Sequence, residues 1–229
     1  MKIARYLAMT AEEFSASPNL SNGIAWMSCH FSADGTSLSN LPENLPAGAM
    51  LILDDSVSPK NQDPKNIAQT IGNIIKKQDL AGLLLDFQHP NSPKLLEISR
   101  MLIQLDCPVC VTEHYANDLD CPVFLPPIPL TVPIKEYIIP WRNREIWLEI
   151  APSCEEITVN TKGMKIQQIL NSLECPFNDQ TLHCHYKISK TDDCIKFTLQ
   201  RTKEDLEDLL EEAASLGITT AVGLYQELK

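Results

Sequence analysis

Cations, long apolar runs and glycines are all scarce in this chain of 229 residues, and each shortage excludes something. Lys and Arg number 19 against 30 Asp and Glu, a formal charge of −11. Phosphate recognition needs a basic stripe, and the most charge-rich stretch, Lys203 to Glu212, is mainly acidic. Nucleic acids and polyanionic substrates are therefore not expected as partners. The opening MKIARYLAMTAEEF is broken by Thr10, Glu12 and Glu13, and nowhere does an apolar run reach the roughly 18 residues that a membrane span needs. Neither a membrane span nor an export signal is expected, so the chain reads as soluble and cytoplasmic. Among the 8 glycines none builds a phosphate-binding loop, which argues against an open dinucleotide-binding sheet.

Disulfides are not expected either. The 8 cysteines are too sparse for a secreted disulfide scaffold. Most of them (Cys29, Cys107, Cys110, Cys121, Cys194) lie in apolar runs, where a reduced cysteine behaves as a small hydrophobe. Cys107-Pro-Val-Cys110 has CxxC spacing, but in an extended run positions three apart face opposite sides, so it is not a zinc site. What the chain does have is apolar content, 44%, enough to bury a core.

That content is organised. Eight strand-length apolar runs are predicted: Ile3–Met9, Gly23–Cys29, Ala49–Asp54, Gly82–Phe87, Pro108–Thr112, Pro122–Leu125, Glu145–Ile150 and Ile218–Tyr225. They are nearly continuous (MLILD, GLLLDF, TTAVGLY), as parallel strands buried on both faces are. Asp63-Pro64 and Ser92-Pro93 start helices with buried stripes at Ile67, Ile71, Ile74, Ile75 and at Leu95, Ile98, Leu102, Leu105. Thr202 and Asp205 cap a third helix with Leu206, Leu209, Leu210 and Ala213 inward, and Gly217 stops it.

Eight βα-like units predict one α/β domain over residues 1–229, a compact and irregular (β/α)8 TIM-barrel-like fold. The sixth unit, with five prolines between Cys121 and Pro133, is expected to have a loop and a brief helical turn. Between strands seven and eight, Thr181–Ser189 and Asp193–Thr198 alternate around a polar turn. They predict a β-hairpin in an inserted α+β segment, residues 155–199.

A barrel works at the C-terminal ends of its strands. The polar residues there are His30, Asp54, Asp55, Asp86, Gln88, His89, Glu113, His114, Tyr115, Glu149, Tyr225, Gln226 and Glu227. Asp86 and Gln88 are two apart and share a face, as do Trp26 and His30. Trp26, Trp141, Trp147, Tyr115 and Tyr225 are the aromatic candidates for a sugar surface, with Trp147 expected in the core.

The fourth strand, Ala81-Gly-Leu-Leu-Leu-Asp-Phe-Gln88, resembles the DxxDxDxE strand of family 18 glycoside hydrolases, the chitinase-like barrels. Gly82, Asp86 and Phe87 match. Ala81 and Leu84 stand where the first two aspartates would be, and Gln88 stands where the catalytic glutamate would be. The closing segment, Phe197 to Leu228, is similar as well, with Tyr225 in place of the family's tryptophan. The resemblance implies a barrel whose glutamate protonates the leaving oxygen while the aspartate positions the substrate's acetamide. A glutamine cannot act as a general acid near neutral pH, so the resemblance implies a non-catalytic relative. It would bind a carbohydrate or other small polar ligand through His30, Asp54, Gln88, His89, His114, Tyr115, Tyr225 and Gln226.

Two enzymatic alternatives stand beside it. Asp86 with Glu113 or Glu149 could form a two-carboxylate glycosidase. His30, His89 or His114 with Asp54, Asp86 or Glu113 have the types for a metal-dependent hydrolase, although no HExxH is present and His183-Cys-His185 is expected at the surface. No metal or other cofactor is expected, and oligomeric state is left open.

Overall fold

A computed structural model describes residues 2–17, 23–33, 37–41, 43–59, 63–169 and 174–229. In chain order, β1 (Ala4–Met9) leads through α1 (Ala11–Ala16) to β2 (Gly23–Phe31) and the short β3 (Leu38–Ser39). β4 (Met50–Asp54), α2 (Pro64–Gln78), β5 (Gly82–Asp86), α3 (Pro93–Gln104), β6 (Val109–Thr112) and α4 (Glu113–Ala116) follow. Next are β7 (Val123–Leu125), α5 (Ile134–Tyr137), a 3-10 turn (Ile139–Trp141) and β8 (Ile146–Glu149). Five further strands come before the last helical unit: β9 (Ser153–Asn160), β10 (Gly163–Gln168), β11 (Phe177–Asp179), β12 (Cys184–Lys190) and β13 (Cys194–Arg201). The chain ends with α6 (Lys203–Ser215), β14 (Thr220–Leu224) and α7 (Tyr225–Leu228).

Eight parallel strands close into a barrel in the order β1, β2, β4, β5, β6, β7, β8, β14. Closure is direct, because β1 pairs with both β2 and β14. Each lies within two residues of its expected run. Apolar side chains on both strand faces explain those continuous runs. Ala25, Met50, Ile52, Leu84, Cys110, Phe124, Trp147 and Val222 fill the barrel. Leu51, Leu53, Leu83, Leu85 and Val111 point outward under the helices, each contributing about 1.5–3 kcal/mol by burial. Gly82 makes room on the inside: a Cβ there would sit 3.2 Å from the Trp147 ring.

The helix starts follow the sequence. Asp63 caps α2, Ser92 caps α3 with Pro93 first in the helix, and Thr202 with Asp205 forms a capping box on α6. After α6, Gly217 takes φ +87, a left-handed conformation that glycine adopts without strain. The barrel is irregular in two places. Between β2 and β4 no helix occurs among the described residues, and the Pro-rich unit keeps only α5 and the 3-10 turn.

The expected hairpin is present as β12 and β13, inside a larger sheet. The strands run from Ser153 to Arg201, and the described residues form a five-stranded antiparallel sheet, β10-β9-β13-β12-β11, with no helix. β9 and β10 carry the same alternation, polar Glu156, Thr158, Lys165 and Gln167 between apolar Ile157, Val159, Met164 and Ile166, as the hairpin that was expected. The sheet is fastened at its base. Arg201, only 2% exposed, donates to the carbonyls of Ile128, Leu182 and His183. His183 pairs with Glu212 at 2.6 Å and His185 with the buried Asp205 at 3.1 Å. This His-x-His pair, expected at the surface, therefore joins the insert to α6.

All eight cysteines are free; Cys107 packs outside the barrel and Cys110 inside it, on opposite faces as the spacing implies.

Candidate functional site

The strand alternation that fills the barrel with apolar side chains brings carboxylates to its C-terminal mouth. Asp54 on β4 and Asp86 on β5 are register partners, the next inward positions after Ile52 and Leu84. Glu149 ends β8, two residues beyond the inward Trp147. These three rim a cavity of about 130 Å³ whose walls are Ala8, Met27, Ile52, Leu84, Phe124, Val222 and Leu224. A second cavity, about 300 Å³, shares Asp86, Phe124 and Glu149 with the first and adds Gln88, Thr112, Glu113, His114 and Pro126. Together they form one mouth with an apolar floor and an acidic rim.

Burial raises the Asp86 carboxyl above its ordinary range, and the charges of Asp54 and Asp55 push it further. A hydrogen bond from the Gln88 amide, 2.5 Å to Asp86 Oδ1, acts the other way. Glu149 is also raised, first by burial and then by the charges of Asp86 and Glu227. Two acids that repel across a partly desolvated mouth hold protons at higher pH than free carboxylates do. The Tyr137 phenol, which donates to the Pro126 carbonyl, is raised to about 12 by burial and by Glu113 and Glu149.

Asp55, 3% exposed, supports the loop that carries Gln88. Its Oδ1 accepts the Gln88 backbone N–H at 2.9 Å, and its Oδ2 accepts the His89 N–H and ring Nδ1–H, each at 2.9 Å. A carboxylate from the neighbouring strand end thus fixes the chain direction where β5 stops.

Of the residues singled out in the sequence, Asp54, Asp86, Gln88, Glu113, His114 and Glu149 meet at the mouth. The others do not. His30 is the register partner of Asp54, but its ring turns to the Ser28 carbonyl and lines neither cavity. His89 is bound by Asp55. Tyr115 is buried in the outer core against Phe87, its hydroxyl on the His89 carbonyl. Tyr225 bonds Ser17, and Gln226 bonds Glu13. Trp26 and His30 do not share a face, because a register shift between Trp26 and Cys29 turns Trp26 outward onto Phe14. Trp147 is in the barrel core as expected.

Phe124, Met27 and Tyr137 were not singled out. Phe124 and Met27 could have been found from strand parity, whereas nothing in the Pro-rich unit marks Tyr137. Among the described residues no three His, Cys, Asp or Glu side chains are grouped to hold a metal ion.

No family model matches the chain, and no curated protein matches it by sequence. Solved structures do match it along nearly its whole length. The chitinase RmChi1 from Rhizomucor miehei aligns with a TM-score of 0.57 at 12% identity, over 99% of this chain and 96% of its own. The chitinase-like agglutinin RobpsCRA from Robinia pseudoacacia gives 0.57 at 12%, over 98% and 95%. The spore cortex-lytic enzyme SleL from Bacillus megaterium QM B1551 gives 0.53 at 10%, over 97% and 70%. The likeness drawn from the fourth strand holds for the architecture of the whole chain. The protein has the chitinase-like (β/α)8 barrel fold, with an antiparallel sheet inserted before its last helix and strand.

Proposed function

We propose that the protein is a non-catalytic chitinase-like barrel that binds a carbohydrate or another small polyhydroxy ligand at its mouth. The observation that carries this reading is Gln88. It stands two residues beyond the fourth barrel strand, at the position that the family resemblance gives to a proton-donating glutamate, and its amide is spent on Asp86. An amide holds a hydroxyl or a glycosidic oxygen by hydrogen bonding but delivers no proton. An apolar floor under an acidic rim suits a sugar, which has an apolar face and a hydroxyl edge. Among the described residues the mouth has Phe124 as its sole aromatic lining, so a short ligand fits better than a long stacked chain.

Calorimetry with N-acetylglucosamine and its oligomers, beside a fluorogenic hydrolysis assay, tests both halves. Saturable binding without turnover, lost in Asp86→Ala, is the expected result. Turnover by the unmodified protein overturns the non-catalytic half, and no binding across a panel of neutral and amino sugars overturns the other.

One observation favours a second reading, a glycosidase that uses Asp86 and Glu149. Both border both cavities and both are raised, and a general acid needs a raised carboxyl. This reading expects turnover that is abolished by Glu149→Gln and falls as pH rises through the acid's titration.

A further inference from the structure

The large hydrophobic side chains left most exposed are concentrated in one place. Among the described residues Val159, Met164, Ile166, Phe177, Ile188 and Ile195, each at least 37% exposed, lie in the inserted sheet, and Ile139 is the one comparable side chain outside it. Directly paired residues in a sheet share a face. The register sets Met164 beside Val159 beside Ile195 beside Lys190, then Ile166 beside Ile157 beside Phe197 beside Ile188, then Gln168 beside Glu155 beside Leu199 beside Tyr186 beside Phe177. These rows make one face that is apolar apart from Lys190 in the first row and Gln168 and Glu155 in the third. The opposite face is polar, with Lys196 paired to Glu156 at 3.1 Å.

A sheet with one apolar face needs a layer to cover it. The barrel covers only the base, where Leu130 packs on Ile157, Cys184 and Leu199. The outer rows stay open. With exposures from 37% at Ile195 to 67% at Met164, the six side chains present on the order of 600 Å² of apolar surface, the upper end of what a monomer leaves uncovered. Two such faces together would bury about 1,200 Å², which reaches the lower bound of specific, stable interfaces.

The chemistry of the face selects the occupant. Its central row is wholly apolar and its hydrogen-bonding side chains are confined to the outer rows, so it suits an apolar surface better than sugar hydroxyls. It also has relief. A groove of about 230 Å³ runs over Ile157, Ile188, Phe197 and Leu199, and Met164 stands out at one edge, so a two-fold mate can set its ridge into the groove. We propose that this face is a homodimer interface, in which the inserted sheets of two copies pack face to face as aligned layers about 10 Å apart. The proposal is independent of what the barrel mouth binds. A dimer would carry two mouths, and a multivalent target would then be held with avidity.

Sedimentation over roughly 1 to 100 µM, the weaker part of the range that interfaces of this size occupy, is the test. The expected species has twice the 25.6 kDa of the chain. Ile188→Lys and Met164→Glu should each weaken the dimer by about tenfold or more. Ile139→Glu, in the 3-10 turn outside the sheet and 57% exposed, should leave it unchanged. All three positions already face solvent, so folding is expected to survive, and circular dichroism melts check this. A wild type that stays monomeric at the top of the range overturns the proposal. So does a dimer that persists in both sheet variants, or one that Ile139→Glu breaks equally.

Discussion

Gln88 acts on the Asp86 carboxylate against burial and the charges of Asp54 and Asp55. The Gln88 amide stabilises ionised Asp86, so Gln88→Ala should raise the Asp86 pKa, read by NMR titration of its carboxyl carbon; a fall would place the amide elsewhere. Glu149 and Asp86 are raised together by burial and by repulsion. Raised carboxyls leave the folded chain holding more protons than the unfolded chain, from the ordinary carboxylate range up to the raised values. Stability therefore falls as pH rises through that window. Glu149→Gln removes one charge, and because the mouth is partly solvated the gain is modest. A rise in Tm of roughly 1–3 °C near pH 7 is expected, with a smaller rise near pH 4. Equal gains at both pH values would show that the two acids do not repel.

At the scale of elements, two buried polar side chains do the joining. Asp55 on the β4 side accepts three donors from the loop after β5. Asp55→Ala leaves two backbone N–H groups without their acceptor and should cost about 2–4 kcal/mol in urea unfolding, whereas His89→Ala, at an exposed ring, should cost less than about 1. Arg201 does the same for the insert, and Arg201→Met should speed amide exchange in β12 and β13 far more than in β4 or β5. Neither role was legible beforehand, because each depends on which strands become neighbours. Residues beyond a strand end were misread for a local reason. α4 begins at Glu113 and α7 at Tyr225, so the period changes from 2 to 3.6 just where the candidate lists began. Tyr115 consequently turns into the outer core while Glu113 and His114 reach the mouth.

For the molecule as a whole, the barrel was legible because its eight strands are apolar on both faces and its main helices announce themselves with capped starts. Of the inserted sheet only the β12–β13 hairpin was legible, because its two strands flank a polar turn, whereas β9, β10 and β11 lack so plain a turn signal. The insert's architecture nevertheless makes it separable. Ser153 and Arg201, its two ends, are register partners across β9 and β13, so a tight two-residue turn can join them without pulling on β8 or α6. Excising residues 154–200 in this way should leave a folded barrel, because no barrel strand pairs with the insert. Stability should drop, since Leu130 loses its cover and Asp205 and Glu212 lose their histidines. The shortened protein should melt cooperatively, retain whatever ligand the mouth binds, and sediment as a monomer at concentrations where the full chain is a dimer. If it sediments as a dimer, self-association belongs to the barrel wall. If it fails to fold, the insert is part of the barrel's core structure and not an attachment to it.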